Sequence, residues 1–263
     1  MKKIPDILTK IIAAKRREVE RLKEDVPLAE LESVVADQKP PLNLVGALMG
    51  DKVRIIAECK KASPAKGLLR TDYNARFLAE SYVANGAAAI SCLTNVDHFQ
   101  GSLTDLRDVC DVAHVRGVPV LRKEFIFDPY QIVEARANGA DAILLIVAML
   151  SAKDLLRLRE FAQNYWLQVV VEVHTEDEMK KAIDTGAEIF GINNRDLHTF
   201  TTDLATTERL ASLVPNGGVL VSESGINTPE DIQRIQKAGA EAALIGESLV
   251  VSDDPGAKLR EFV

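Results

Sequence analysis

An acidic and a basic side chain at the end of a short apolar segment are the first residues of this chain that could do chemistry. Glu58 and Lys60 are separated by one residue near the end of the segment 53–60. Alternate residues of an extended strand point to the same face, so the two side chains would stand in one row. A buried carboxylate or ammonium is costly unless it is paired or hydrogen-bonded. The segment therefore predicts either an ion pair that caps a strand or the polar end of a strand at a functional site.

Four later apolar segments also end in polar and charged residues. These residues are Lys123, Glu172, Asn193, Arg195 and Glu223. A salt bridge at a strand end explains any one of them as well as catalysis does, but their occurrence at equivalent positions indicates a shared site. Burial lowers the proton affinity of a lysine and nearby glutamates restore it, so such groups can act as acid and base near neutral pH. We therefore predict acid–base catalysis on a substrate with a carbonyl or hydroxyl group.

The elements that would position these residues alternate regularly from residue 53 onward. Strands are predicted at 53–60, 88–94, 118–123, 141–147, 168–173, 187–193, 218–223 and 242–246. Helices are predicted near 74–85, 103–115, 129–138, 152–163, 176–185, 204–213, 229–238 and 255–262. This alternation predicts an α/β fold, a (β/α)8 TIM barrel, whose catalytic groups lie at the carboxyl ends of the strands. An open doubly wound sheet is the second choice, because no glycine-rich dinucleotide loop follows any predicted strand.

Residues 1–50 are predicted to form an N-terminal helical extension, and residues 51–263 the catalytic barrel. Leu8, Ile11, Ile12, Val19 and Leu22 recur at helical spacing among lysines and arginines, which is typical of an amphipathic helix. Shorter helices are predicted around 28–35 and 44–49. The apolar stripe needs a partner and the extension directly precedes strand one, so we expect it to pack over the mouth of the barrel.

Two loops after the last strands carry glycine at positions suited to binding an anion. Ser224 and Gly225 follow strand seven and lead into a helix, and Gly246 follows strand eight and opens a helical turn. Glycine lets backbone N–H groups approach an anion at a helix N-terminus, which is the usual phosphate site of such barrels. The two loops therefore predict a phosphorylated small-molecule substrate.

Composition argues against several other functions. The chain is 47% hydrophobic and 27% charged, as in ordinary globular proteins, and its formal net charge of −7 argues against a nucleic-acid or anionic-membrane surface. No apolar run approaches the roughly 18 residues of a membrane span, and the start lacks a signal-peptide core, so we expect a cytoplasmic protein. Cys59, Cys92 and Cys110 are most simply core residues. The histidines show no metal-ligand spacing, and His174 is expected at the surface or supporting a site residue.

Four motifs together resemble one known family. They are Ile-Ala-Glu-Cys-Lys-Lys-Ala-Ser-Pro at 56–64, Leu-Arg-Lys-Glu-Phe at 121–125, Gly-Ile-Asn-Asn-Arg-Asp-Leu at 191–197 and Ser-Glu-Ser-Gly-Ile at 222–226. In this order they resemble the indole-3-glycerol phosphate synthases of tryptophan biosynthesis. The resemblance implies the barrel with an N-terminal helical extension and no cofactor. It also implies conversion of 1-(2-carboxyphenylamino)-1-deoxyribulose 5-phosphate into indole-3-glycerol phosphate, carbon dioxide and water.

The resemblance further implies a role for each site residue. Lys123 would be the general acid that protonates the substrate carbonyl, and Glu172 the base or the group that stabilises the developing cation. Lys60, paired with Glu58, would hold a substrate anion and help in the dehydration. The supporting residues would be Glu223 and Asn193 for positioning hydroxyls and the lysines, Arg195 for the loop, Ser63, Ser224, Gly225 and Gly246 for the phosphate, and Phe99, Phe125 and Leu144 for the anthranilate ring.

Four residues depart from the family pattern, of which Cys59 and Cys92 fill positions that are often Val or Ile. Glu124 stands where the family usually has Asp, which could alter the orientation of Lys123, and Ala65 replaces a serine, which could weaken phosphate binding slightly. Two other functions stay open: a Schiff-base aldolase that uses Lys123 or Lys60, and a phosphate-binding barrel without catalysis. The expected partner is the small phosphorylated molecule, with no nucleic acid and no membrane. The chain is expected to be a monomer or a weak homodimer.

Overall fold

Eight parallel strands close into a barrel in the computed structural model, which describes residues 6–263 and their side chains from Leu8 onward. In chain order the strands are Arg54–Cys59, Ala89–Leu93, Val120–Lys123, Ala142–Ile146, Gln168–Val173, Ile189–Asn193, Val219–Glu223 and Ala242–Ile245. Strand one pairs with strand two and, through Ile56 and Leu244, with strand eight, which closes the ring. The predicted (β/α)8 fold is confirmed. Residues 1–5, on which the expectation of no signal peptide rests, lie outside the described residues.

Helices cover the outside of the barrel and connect successive strands. They are Ala75–Ala84, Leu103–His114, Pro129–Ala137, Ala152–Gln163, Glu176–Asp184, Ala205–Ala211, Pro229–Ala238 and Pro255–Arg260. Side chains that accept hydrogen bonds from the first turn stand before most of them, for example Asn74, Ser102 and Thr228. Such caps satisfy backbone N–H groups that a helix leaves unpaired. The bounds agree with the predicted ones to within two residues.

Several short elements were not predicted. A hairpin of Ala62–Ser63 and Gly67–Leu68 follows strand one, a helix Val96–Phe99 follows strand two, and a 3-10 turn Val147–Met149 follows strand four. All of them lie in loops at the carboxyl ends of strands, where the chain surrounds the predicted site.

Side chains fill the inside of the barrel, and the strands are buried on both faces, which explains their nearly continuous apolar sequences. Leu121 and Val221 belong to this inner cluster. The helix Leu44–Leu48 of the extension joins the same cluster through its two terminal leucines. The backbone N–H of Val45 donates to Gln168 Oε1 at 3.1 Å. Because Gln168 is the first residue of strand five, this helix lies at the amino end of the barrel.

The first helix of the extension, Asp6–Asp25 (helix α1), and the second, Leu28–Ala36, lie against the helix Pro129–Ala137. Tyr130 Oη donates to two backbone carbonyl oxygens near the end of α1, both at 3.0 Å. Val19 on α1 packs in the same apolar cluster as Tyr130. The extension therefore reaches the barrel at both ends. Within residues 6–263, no helix is both long enough and apolar enough to span a membrane.

Candidate active site

The carboxyl ends of the strands open into one pocket, which encloses about 1040 Å³ of space, open solvent at its mouth included. The predicted residues that line it are Glu58, Lys60, Ser63, Phe99, Lys123, Phe125, Leu144, Glu172, Asn193, Arg195, Glu223 and Ser224. Gly225 and Gly246 line an adjoining pocket that shares Lys60, Arg195 and Ser224 with the first. The structure therefore brings all the sequence-predicted site residues together at one end of the barrel.

Lys123 lies at the centre of the charged group. Its Nζ atom is 2.6 Å from Glu223 Oε2 and 3.2 Å from Glu172 Oε2, and its side chain is 14% exposed. Burial alone would lower the pKa of Lys123, but the negative charges of Glu223 and Glu172 outweigh burial and raise the pKa above its ordinary value. The resting site therefore holds the ammonium of Lys123 between the carboxyl groups of Glu223 and Glu172.

The two carboxylates that share this lysine differ in their affinity for a proton. Burial raises the pKa of Glu223 to about 7, against the opposing charge of Lys123 and with the help of the negative charge of Glu172. For Glu172, burial is outweighed by the charges of Lys123 and His174, and the pKa is lowered. Near neutral pH, Glu172 can accept a proton while Glu223 is partly protonated.

Glu58 and Lys60 form the second charged pair of the site. Lys60 Nζ lies 2.9 Å from Glu58 Oε1, and Ser91 Oγ donates to Glu58 Oε2 at 3.2 Å. Both side chains point to the inner face of the strand, as their alternate spacing predicts. A Cβ atom at Gly246 would lie only 2.5 Å from Glu58 Oε1. The loop after strand eight can approach this pair closely because residue 246 is glycine.

Positive and polar groups surround the adjoining pocket. Lys60, Lys66 and Arg195 line it together with the loops after strands seven and eight. Ser224 and Gly225 have φ angles of 66° and 82°, in the left-handed region that glycine adopts readily and serine rarely. The turn that follows strand seven is therefore tight, and it presents backbone to the same space as the cationic side chains.

The loop after strand six is held by hydrogen bonds to its own first residues. The backbone N–H of Arg195 donates to Asn193 Oδ1 at 3.0 Å, and Arg195 Nη1 donates to the carbonyl oxygen of Phe200 at 3.0 Å. The amide of Asn193 also donates to Glu172. Phe200 lines both pockets. Asn193 and Arg195 therefore connect the ordering of this loop to the position of Glu172.

An apolar surface faces the charged groups across the pocket. The ring centroids of Phe99 and Phe125 are 6.2 Å apart and their planes are inclined by 40°. Leu144 lies on the same wall, and Leu8 and Ile11 of α1 also line the pocket. Leu8 and Ile11 were predicted only as parts of an amphipathic stripe, not as site residues. The stripe was the available signal, but helical spacing does not identify the surface that an apolar face covers.

Glu124 points away from the lysine that it follows. Its Oε2 atom lies 2.9 Å from Lys15 Nζ and accepts a hydrogen bond from Thr94 Oγ1 at 3.0 Å, and Oε1 accepts from Asn95 Nδ2 at 3.2 Å. No direct contact between the two side chains therefore supports the expectation that the longer side chain of Glu124 alters the orientation of Lys123. Glu124 instead joins the barrel to α1.

His174 lies beside the site. Its side chain is 11% exposed, its Nε2 atom is 3.5 Å from Glu172 Oε1, and its Nδ1 atom is 3.1 Å from Glu178 Oε2. Of the two positions that the sequence left open for His174, the structure shows the one that supports a site residue, and alternation along the strand puts it on the same face as Glu172. In the described part of the chain, no group of three or more His, Cys, Asp or Glu residues is arranged to hold a metal ion.

The sequence matches the model of one protein family, described as indole-3-glycerol phosphate synthase, over residues 8–262. The chain belongs to the indole-3-glycerol phosphate synthase family. The resemblance found in the four motifs and the predicted enzyme class, a carboxy-lyase of tryptophan biosynthesis, are confirmed by this assignment.

Relatives within the indole-3-glycerol phosphate synthase family match nearly the whole chain. The enzyme of Dehalococcoides mccartyi (strain CBDB1) is 47% identical over 258 residues, which cover 98% of this chain and 100% of the relative. The enzyme of Roseiflexus sp. (strain RS-1) is 48% identical over 262 residues, which cover 97% of each chain. The barrel and its N-terminal extension are thus both part of the similarity.

Solved structures of other enzymes share the barrel at low sequence identity. Thiamine phosphate pyrophosphorylase from Pyrococcus furiosus matches with a TM-score of 0.62 at 15% identity, over 84% of this chain and 96% of that one. The 3-hexulose-6-phosphate synthase from Salmonella typhimurium matches with a TM-score of 0.60 at 10% identity, over 80% and 96%. At this identity the likeness supports the fold alone.

Proposed function

We propose that this chain converts 1-(2-carboxyphenylamino)-1-deoxyribulose 5-phosphate into indole-3-glycerol phosphate, carbon dioxide and water. The observation that carries the proposal is the position of Lys123, whose ammonium lies between the carboxylates of Glu172 and Glu223 at the centre of the pocket. An ammonium held in this way can give a proton to a reacting oxygen, and the carboxylates can take protons up. Membership of the indole-3-glycerol phosphate synthase family supports the same reaction.

The two sides of the pocket suit the two ends of that substrate. Phe99, Phe125 and Leu144 offer an apolar surface for the aromatic ring. At the other end, Lys60, Arg195 and the loops that contain Gly225 and Gly246 offer positive charge and backbone to the phosphate. Ser63 and Ser224 also line the pocket and offer hydroxyl groups to the phosphate.

In the proposed first step, Lys123 acts as the general acid. The ring carbon that bears the carboxylate attacks the carbonyl carbon and forms a carbon–carbon bond, and the carbonyl oxygen takes the proton of Lys123. The carboxylate then leaves as carbon dioxide, and the electron pair of the broken bond restores the aromatic ring. Glu223 and Glu172 hold the ammonium in place before transfer, so little rearrangement is needed when charge develops.

In the proposed second step, a hydroxyl and a proton leave the new five-membered ring as water. Lys60 gives a proton to the departing hydroxyl, and Glu172 takes the proton from the adjacent carbon, which forms the double bond. Glu58 holds Lys60 at 2.9 Å. Asn193 and Glu223 position the hydroxyls and the lysines. Glu172 has the lowered pKa that a group needs to be ionised, and so able to act as a base, at neutral pH.

The test is an indole fluorescence assay on the purified chain. Addition of the anilino-deoxyribulose phosphate should produce an indole-type fluorescence rise, and K123A should lower turnover about 100-fold or more while substrate still binds. The matched control is K153A, because Lys153 is an exposed lysine on the helix Ala152–Gln163. If folded wild-type protein gave no fluorescence rise, the proposed reaction would be wrong.

The two alternative functions give different results in the same preparation. A Schiff-base aldolase would be trapped on Lys123 or Lys60 by borohydride in the presence of substrate. A phosphate-binding barrel without catalysis would bind the substrate and show no turnover to lose in K123A. We expect no borohydride adduct and a clear loss of turnover.

We also propose how the chain is organised in solution. In the described part of the N-terminal extension predicted over residues 1–50, helix α1 covers the mouth of the barrel, since Leu8 and Ile11 line the pocket. Cys59, Cys92 and Cys110 are free and buried, which suits a reducing compartment such as the cytoplasm. The proposed state is a monomer or a weak homodimer that does not bind nucleic acid. Analytical ultracentrifugation, with and without added DNA and RNA, tests this.

A further inference from the structure

His174 is a titratable side chain beside the site that the proposed reaction does not use. It follows Glu172 by two residues, so the two side chains lie on the same face. Its Nε2 atom is buried, lies 3.5 Å from Glu172 Oε1, and has no hydrogen-bond partner among the described residues. Lys123 contacts the other oxygen of Glu172, Oε2, at 3.2 Å. Each oxygen of Glu172 therefore has its own nitrogen-bearing neighbour.

The opposite side of the imidazole ring is held by Glu178 on the helix Glu176–Asp184. Nδ1 lies 3.1 Å from Glu178 Oε2, and the same oxygen accepts the backbone N–H of His174 at 2.7 Å. The ring thus stands between two carboxylates, one near each nitrogen. A neutral imidazole carries one N–H, whereas the charged form carries two, so this arrangement favours the imidazolium.

We propose that His174, held in its charged form by Glu178, is a positioning residue that keeps Glu172 ionised and directed at Lys123. The proposal rests on the proposed function, in which Glu172 is the base of the dehydration. A base in a buried site would otherwise tend to hold a proton, because burial disfavours the carboxylate. Lys123 alone does not stabilise both carboxylates equally, since its Nζ atom lies closer to Glu223, at 2.6 Å.

The electrostatic surroundings agree with this arrangement. Burial would lower the pKa of His174, but the hydrogen bond to Glu178 and the charges of Glu172, Glu178 and Glu223 raise it above its ordinary value. Burial would raise the pKa of Glu172, but the positive charges of Lys123 and, after it, His174 lower that pKa below its ordinary value. Both shifts point to a charged His174 beside an ionised Glu172.

Other charged and titratable groups face the same region and have to be considered in any pH experiment. Across the barrel these are Lys123 and Glu223, and in the segment that follows strand six they are Arg195, Asp196, His198, Asp203 and Arg209. Of these, Lys123, Glu223 and Arg195 also line the substrate pocket, so they can compete with His174 for control of Glu172. The test therefore has to observe Glu172 directly as well as through activity.

The experiment compares the pH dependence of kcat/KM in wild type, H174Q and E178Q. Activity falls on acidification when the base takes a proton, so the acid limb reports the apparent pKa of the interacting carboxyl groups of Glu172 and Glu223 in the free enzyme. Loss of the imidazolium raises that pKa, and the acid limb should move to higher pH by about 1 unit or more in H174Q. E178Q should move it in the same direction, because His174 then loses the carboxylate that keeps it charged.

H114Q is the matched control. His114 Nε2 lies 2.8 Å from Asp141 Oδ2, a similar histidine–carboxylate contact at the amino end of the barrel. We expect its pH profile to match that of wild type. In parallel, 13C NMR of glutamate-labelled protein, with E172Q to identify the signal, should show the Glu172 carboxyl titrating at higher pH in H174Q than in wild type.

Each outcome decides the proposal. An unchanged acid limb and an unchanged Glu172 titration in H174Q would overturn it. A uniform loss of activity at every pH without a shift would also overturn it, since that is the result of a merely structural role. If wild type itself made no indole product, the proposed function would be wrong, and so would the role of His174 in positioning the base of that reaction. The NMR titration would then still report whether His174 sets the charge of Glu172.

Discussion

Replacement of Lys15 by Met would test how strongly helix α1 is held to the barrel. Lys15 Nζ lies 2.9 Å from Glu124 Oε2, and the two side chains are 3% and 0% exposed. Methionine keeps most of the apolar length of lysine and removes its charge, so Glu124 would be left as a buried carboxylate without its cation. Removal of one partner from a buried ion pair typically costs about 3–5 kcal/mol.

The remaining contacts of Glu124 set the expected cost at the lower end of that range. The carboxylate keeps three uncharged donors, Thr94 Oγ1 at 3.0 Å, Asn95 Nδ2 at 3.2 Å and the backbone N–H of Phe125 at 2.9 Å. We expect K15M to lose about 3 kcal/mol of unfolding free energy, which corresponds to a fall in Tm of about 6–12 °C for a chain of this size. Chemical unfolding followed by circular dichroism measures the free energy directly.

The pH dependence of this loss has a definite sign. Burial alone would raise the pKa of Glu124, but the charges of Lys15 and Arg122 and the hydrogen bonds lower it below its ordinary value. A carboxyl group with a lowered pKa contributes stability that is present above its unfolded pKa and is lost as pH falls through the folded pKa. K15M removes the largest of the lowering causes. The difference between wild type and K15M should therefore be largest near neutral pH and shrink below about pH 4.

Lys23 provides a matched control on the same helix. It pairs with Asp128 at 2.8 Å, in the segment that also follows strand three, but the side chains are 35% and 25% exposed. Such a pair contributes about 0–1 kcal/mol, so K23M should change stability little. K15M/E124Q removes both buried charges and should recover most of the loss. Equal losses in K15M and K23M, or a double variant no more stable than K15M, would refute the reasoning.

Three further predictions follow from other contacts. G246A places a Cβ atom 2.5 Å from Glu58 Oε1 and should displace this carboxylate, so kcat/KM should fall about 100-fold. Tm should change little, because the atom that has to move is the end of a flexible side chain. An unchanged kcat/KM would contradict this prediction. The pKa of His174 is raised in the folded state, so its contribution to stability should be complete below about pH 6.5 and be lost as pH rises through the folded pKa; denaturation of wild type and H174Q between pH 5 and 9 measures the difference. Deletion of residues 1–45 removes Leu8 and Ile11 from the pocket wall and should raise KM, and an unchanged KM would show that the extension does not cover the site.

The strand-end residues could be predicted because two local rules determine where they lie. Alternation along a strand puts Glu58 and Lys60 on one face, and the repeated strand–helix units put all strand ends at one mouth. Neither rule requires knowledge of a distant contact. Lys123 and Glu223, separated by 100 residues along the chain, therefore meet as expected.

The contacts of the extension could not be predicted in the same way. Lys15 and Glu124 are separated by 109 residues, and nothing in either segment identifies the other as its partner. Helical spacing gave the apolar face of α1, and its place before strand one indicated the barrel mouth, but neither identified the residues that it contacts there. The sequence left both a surface and a supporting position open for His174 for a related reason. Its partner Glu178 lies on the next helix, and alternation alone does not show which strand-end side chains are contacted from outside the barrel.

Glycines pack beside the two lysine–glutamate pairs at the strand ends and help to hold their charges in position. A Cβ atom at Gly191 on strand six would lie 2.2 Å from Glu223 Oε1, and one at Gly246 would lie 2.5 Å from Glu58 Oε1. Each glutamate is thus packed directly against the backbone of a neighbouring segment. Glu223 contacts Lys123 through its other oxygen, Oε2, whereas Glu58 contacts Lys60 through the same oxygen, Oε1. Close packing of this kind limits how far each carboxylate can move when the lysine loses its proton. The field around Lys123 and Lys60 is therefore fixed before substrate binds, and preorganisation of this kind is usually the largest contribution that a protein makes to catalysis.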